Sequence, residues 1–191
     1  MAKQIWKGGN MLNPVPAVMV TCQRAGEKPN IITVAWTGTI CSDPPMLYVS
    51  IRPERYSHGI ISDTGEFVVN LVSRDMMRAC DWCGVRSGKD HDKFKETGLT
   101  PLASSEVSAP MIAESPLSLE CRVTEVLHLG SHDMFLAKVA AVAADERYCD
   151  EKGRFRMDRA GLTAYCHGEY YALGEKLGKF GYSVEKKKRK K

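Results

Sequence analysis

No apolar run in this sequence approaches the roughly 20 residues that a membrane-crossing helix needs; the longest, residues 134–144, is broken by Lys138. The opening MAKQIWKGGN has neither the apolar stretch nor the small-residue cleavage site of a secretory leader. These absences predict a cytoplasmic protein with no membrane partner. Basic charge is also scarce where it would matter. The formal net charge of the 191 residues is +4, yet residues 186–191 are all Lys or Arg, so residues 1–185 hold 21 Lys and Arg against 23 Asp and Glu. A body that is mildly acidic offers no basic groove, so no nucleic-acid partner is expected. The expected layout is one domain over residues 1–182 and a basic, disordered tail over 183–191.

The usual catalytic and metal motifs are missing too. There is no G-x-S-x-G nucleophile elbow. Gly174, Gly178 and Gly181 have the wrong spacing for a dinucleotide fingerprint. Residues 84–90, GVRSGKD, are one residue short of a phosphate loop and lack its magnesium-binding hydroxyl. The five histidines form no metal-spaced cluster, and no metal is expected. Seven cysteines, an odd number scattered among apolar neighbours, predict reduced thiols and no structural disulfide. Cys80 and Cys83 form a C-x-x-C that admits packing, a redox pair or half a metal site. Helical spacing and the lack of a second motif favour packing.

What is present is strand. Residues 16–22 (PAVMVTC), 30–40 (NIITVAWTGTI), 46–52 (MLYVSIR) and 66–72 (EFVVNLV) are β-branched, apolar runs divided by turn residues. Residues 117–129 and 134–142 read as a hairpin across Gly130-Ser131-His132-Asp133. Short helices are predicted at 56–62 and at 74–83, the second stopped by Gly84, with a long loop over 84–110. No regular strand and helix alternation occurs, so a mainly β barrel with a few short helices is expected.

One stretch has the chemistry of an organic-cofactor site. A flavin mononucleotide (FMN) needs a flat apolar slot, hydrogen-bond partners for the polar ring edge, and donors with positive charge for its phosphate. Thr33, Trp36, Thr37, Thr39 and Ser42 can serve the ring and its chain, and Arg52, Arg55, Ser57 and His58 the phosphate. The plain alternative is an edge strand followed by a capped helix.

Between about residues 13 and 182 a series of short motifs recurs in order: N-P-V-P (13–16), N-I-I-T-V-A-W (30–36), S-D-P-P (42–45), R-Y-S-H-G-I-I (55–61), G-E-F-V-V-N-L (65–71), D-K-F (92–94), G-S-H-D-M-F (130–135) and G-x-Y-Y-x-L-G (168–174). In these the chain resembles the flavin reductase-like, FMN-binding split-barrel family, and most closely its flavoredoxin branch. The resemblance implies a split β-barrel of Greek-key type, a homodimer with FMN near the interface, and NADH or NADPH as co-substrate. It implies that Asn30, Thr33, Trp36, Thr37, Gly38 and Thr39 line the ring and its chain, and that Arg55 and Ser57, assisted by Ser42, hold the phosphate. Lys93 and His132 would be further flavin-site residues, from the same subunit or its partner, with Tyr165 flanking. A Lys93 cation beside the pyrimidine edge would stabilise the charge gained on reduction; His132 would bind phosphate or ribityl, or guide the nicotinamide.

The implied activity is hydride transfer from NAD(P)H to flavin N5, and on to free flavin, a small acceptor or a redox protein. The alternative is a non-catalytic electron-transfer protein reduced by a partner. The chain departs from the family pattern at Ser57, where threonine is common, and at Ala137 and Lys138, where a Gly-Glu pair is common.

Overall fold

The computed structural model describes residues 1–184; from residue 185 onward the expected tail lies outside the described residues. In chain order the elements are β1 (Val15–Pro16), β2 (Val18–Cys22), β3 (Asn30–Val34), β4 (Thr37–Ser42), β5 (Pro45–Ile51), α1 (Tyr56–Thr64), β6 (Glu66–Leu71), α2 (Met77–Val85), α3 (Lys93–Thr97), β7 (Pro101–Leu102), β8 (Met111–Ile112), β9 (Leu117–His128), β10 (Asp133–Ala144), β11 (Thr163–Cys166) and β12 (Glu169–Ala172). No helix among the described residues is long and apolar enough to cross a membrane.

Seven strands form one antiparallel sheet in the order β3, β2, β6, β9, β10, β5, β4. Its two edge strands, β3 and β4, are neighbours in sequence, joined only by Ala35 and Trp36. Laid flat, six strand spacings would hold the edges about 29 Å apart. The two-residue link can span no more than about 11 Å. The sheet must therefore curl until its edges meet, which is the split barrel that the motifs imply. Its seam lies at Ala35 and Trp36.

Period-2 alternation sorts the side chains. Val18, Val20 and Cys22 of β2 point into the barrel with Val34, Val49, Phe67, Val69 and Phe135, and Ile60 and Ile61 of α1 join them. Met19 of β2 and Ile31 of β3 face the other way, onto a second core with Cys80, Cys83, Phe94 and Ile112. Every residue of β2 is therefore buried. β11 pairs with β1 and β12 in a small separate sheet.

The hairpin is as the sequence predicts, β9 against β10. Three expectations need correction. Residues 30–40 are two strands, because the chain turns at the seam. The helix expected at 74–83 begins as a 3-10 turn, Arg74–Met76, and α2 runs one residue past Gly84. That glycine allows close approach instead of stopping the helix, since a Cβ on it would lie 3.2 Å from the Thr33 Cβ. The loop expected at 84–110 contains α3, capped by Asp92, which accepts from the Lys95 amide, and ended by Gly98 at φ 71°. Burial of Phe94 gives so short a helix its hold.

Candidate functional site

Two clefts open side by side at the seam and share Ile32, Arg52 and Arg55. The first, about 280 Å³, runs past Thr33, Trp36, Ser50, His132, Tyr165 and Tyr170. Its aromatic wall is a chain of edge contacts: Trp36 to Tyr165 with ring centroids 6.4 Å apart, and Tyr165 to Tyr170 at 5.7 Å. The Tyr170 hydroxyl donates to Asp81 at 3.2 Å, and burial pushes its pKa up. His132 sits in the turn before β10, its Nδ1 2.9 Å from the Ser131 hydroxyl. Burial, reinforced by the Arg52 guanidinium, holds this histidine below its ordinary pKa.

The second cleft, about 450 Å³, gathers Asn30, Arg52, Arg55, Ser57, Arg86, Ser87, Gly88 and Lys93, with Glu54 as its one carboxylate. Arg52 reaches that carboxylate at 3.6 Å. Among the described residues, neither Arg55 nor Arg86 has a carboxylate within 4.0 Å. The Asn30 amide donates to the buried Ser57 hydroxyl at 2.7 Å. Lys93 is only 3% exposed, and its Nζ donates to the carbonyls of Ile31 and Cys83 at 2.7 Å each. Burial lowers its pKa to about 8, and the nearby Arg55 cation adds to the fall. Gly88 fits because it has no side chain: a Cβ there would come within 2.1 Å of the Asn30 Oδ1 and 2.9 Å of the Tyr56 ring.

Of the residues expected from the sequence, the structure brings Thr33, Trp36, His132 and Tyr165 to the first cleft and Asn30, Ser57 and Lys93 to the second, with Arg52 and Arg55 in both; Asn30 and Lys93, implied at the ring, thus stand at the cation-rich end. Four residues of β4 line neither. Thr37 donates its hydroxyl to the Tyr48 carbonyl at 2.5 Å, Gly38 lies under the Tyr48 ring, and Thr39 and Ser42 are exposed. His58, offered to the phosphate on residue type, turns instead to Asp133 at 2.7 Å.

Sequence reasoning missed Asp81, Tyr170, Arg86, Ser87 and Gly88. The last three lie in the stretch set aside for its wrong phosphate-loop spacing; its glycine and arginine were the usable signal. All seven cysteines are free, and Cys80 and Cys83 are buried in the second core. Burial pushes their thiols up to about 12 and about 11, so they carry no thiolate near neutral pH.

The flavin reductase-like domain profile matches residues 11–174, and the chain belongs to that family, in its flavoredoxin branch. The flavoredoxin of Desulfovibrio vulgaris (Miyazaki F) is 30% identical, with a TM-score of 0.89 over 96% of this chain and 100% of that one. Flavoredoxin from Methanosarcina acetivorans is 28% identical with a TM-score of 0.85, again over 96% and 100%. An FMN-binding protein from Thermus thermophilus, solved with 1-cyclohex-2-enone bound, is 27% identical with a TM-score of 0.77 over 94% and 97%. Family and fold together support a flavin-related redox function.

The residues present fit such a group. A slot with an aromatic wall adjoins a cleft with four cations, two serine hydroxyls and a side-chain amide, and Gly88 leaves room that a Cβ would fill.

Proposed function

We propose that this protein is an FMN-dependent oxidoreductase of the flavin reductase type, holding the flavin across the two joined clefts. The observation that carries this reading is their polarity: an aromatic wall at one end and a cluster of cations at the other, continuous through Ile32, Arg52 and Arg55. A ligand with a flat ring and a terminal phosphate satisfies both ends at once. Bound there, the flavin would take a hydride at N5 from NADH or NADPH and pass electrons to free flavin, a small acceptor or a redox protein.

The chain's own groups have distinct tasks. Arg55, Arg86 and the Ser57 hydroxyl hold the phosphate, with Lys93 adding buried positive charge on the same side. Trp36, Tyr165 and Tyr170 exclude water from the ring. His132, kept largely neutral at pH 7, orients the incoming nicotinamide or binds the ribityl chain. A homodimer in which β4 of one protomer reaches the flavin of its partner would give Thr37, Gly38, Thr39 and Ser42 the ring-side role that the family motifs imply.

The similarity to two flavoredoxins over nearly the whole chain favours a second reading, in which a partner protein reduces the flavin and no nicotinamide site operates. Two measurements decide. The purified protein should be yellow and release FMN on denaturation; a colourless protein that does not bind added FMN overturns both readings. Steady-state oxidation of NADH or NADPH by the flavin-loaded protein should exceed background, and no turnover with any acceptor leaves the electron-transfer reading alone.

A further inference from the structure

Two sequence motifs meet at a side-chain cluster that flavin binding leaves unused. His58 closes R-Y-S-H and Asp133 follows His132 in G-S-H-D, 75 positions further along the chain. The His58 Nε2–H donates to Asp133 Oδ2 at 2.7 Å, and the His128 Nδ1–H to Asp133 Oδ1 at 2.8 Å. Asp133 is 7% exposed, and each carboxylate oxygen has its own imidazole. The His58 ring stands edge-on to the fully buried Phe135, centroids 5.2 Å apart at 69°, which fixes the direction of its hydrogen bond. His128 is largely exposed, so its bond is the weaker arm.

The positions of the two partners give the pair its meaning. His58 lies in the first turn of α1, directly after the buried Ser57 and three residues after Arg55 at the helix N-cap. Asp133 is the first residue of β10, directly after His132. We infer that the His58–Asp133 pair is a positioning tether, fixing the phosphate end of the site at the start of α1 against the ring end at the turn before β10. This rests on the flavin reading above. The Asn30–Ser57 hydrogen bond ties α1 to β3 and the Arg24–Asp63 ion pair ties it to the chain just after β2, but neither reaches the turn before β10; the rest of its hold on the barrel is the apolar packing of Ile60 and Ile61. Such packing is non-directional and sets no register between the two ends. A charge-assisted, partly buried hydrogen bond does set one. A ligand gripped at both ends is sensitive to their separation at the level of an ångström.

The test is a double-mutant cycle on FMN affinity, read by quenching of flavin fluorescence. Arg55→Ala weakens one end and His132→Ala the other. With the tether intact, the double variant should lose less than the product of the single losses, a coupling of about fivefold or more. His58→Ala should reduce that coupling below about twofold, and His58→Gln, whose side-chain amide can donate in place of Nε2–H, should restore it. His128→Ala should leave it unchanged. If His58→Ala does not fold, Asp133→Asn, which keeps the shape and loses the charge, carries the same test with an expected fall of about twofold or more. Coupling that survives His58→Ala, is not rescued by His58→Gln, or is absent from the wild-type background overturns the tether. A merely structural role would lower the melting temperature and leave the coupling in place. A wild-type protein that binds no FMN overturns the flavin reading and the tether with it, whereas FMN binding with independent ends overturns the tether alone.

Discussion

The buried ammonium of Lys93 sets an upper pH limit on tight binding of an anion in the second cleft. Burial lowers its pKa to about 8, so above that pH the free protein holds mostly a neutral amine. A phosphate in the same cleft favours the charged amine, so binding in alkaline solution takes up a proton. If Lys93 stays charged in the complex, the apparent Kd for FMN scales as 1 + 10^(pH − 8). The factor is about 1.1 at pH 7, about 2 at pH 8 and about 11 at pH 9, a loss of about 1.4 kcal/mol across the range. The phosphate adds little slope of its own, because its second pKa near 6 leaves it a dianion throughout. Fluorescence titrations at about 0.15 M ionic strength, with riboflavin as the phosphate-free control, measure the effect. FMN should weaken about tenfold from pH 7 to 9 and riboflavin should not. Lys93→Met should bind FMN more weakly at pH 7 and show no slope. A constant FMN Kd on folded protein, or a slope that survives in Lys93→Met, refutes the reasoning. The sign for folding is the opposite: between about 8 and 10.5 the unfolded chain binds the extra proton, so the stability of the flavin-free protein rises with pH over that window.

Gly88→Ala places a methyl 2.1 Å from the Asn30 Oδ1; the strain of about 1–3 kcal/mol should weaken FMN binding about tenfold, with a lowered melting temperature alongside. Joint Cys80→Ser and Cys83→Ser substitution should leave flavin reduction by NAD(P)H at the wild-type rate, and iodoacetamide at pH 7 should modify neither thiol in the native protein. Loss of an acceptor-reducing step in that variant would assign the pair a redox role. Glu120 is buried, which alone would raise its pKa, but the amides of Ser105 and Glu106 and the Ser105 hydroxyl hold it below the ordinary value of 4.5. Its ionised form therefore stabilises the fold above that value, and the contribution fades as pH falls. Glu120→Gln should cost about 1–3 kcal/mol in urea melts at neutral pH and progressively less in acid.

The barrel strands were legible in the sequence because burial on one or both faces writes itself as β-branched runs, and the hairpin because Gly130 and its neighbours mark the turn. The seam was not. Ala35 and Trp36 continue an apolar run without a break, and only the position of β3 and β4 at opposite sheet edges explains why the chain bends there. α3 was hidden among turn residues, since its five residues carry no periodicity and its cap, Asp92, has meaning only once Phe94 has a core to enter. The cations of the second cleft come from the end of β5, the start of α1, the end of α2 and the start of α3, which no spacing rule joins. Arg52, Arg55 and Ser57 are legible from residue type alone, the last two also from their motif, whereas Lys93 is legible only from D-K-F. Arg86 and Gly88 were passed over because a close but incorrect phosphate-loop pattern explained them away.

The seam has a consequence for how the site comes into being. Three of the six pairings in the sheet, β2 with β6, β6 with β9 and β10 with β5, join distant parts of the chain, and each must repay a long loop closure before it stabilises anything. The two edges meeting at Trp36 are tied from the start by two residues. Yet the clefts at this short link also draw on the start of α1, on α2, on the turn before β10 and on β11 and β12, so the link alone builds no slot. Under the function proposed above, a chain in which those distant pairings are unformed presents an incomplete slot, and flavin uptake reports on complete folding.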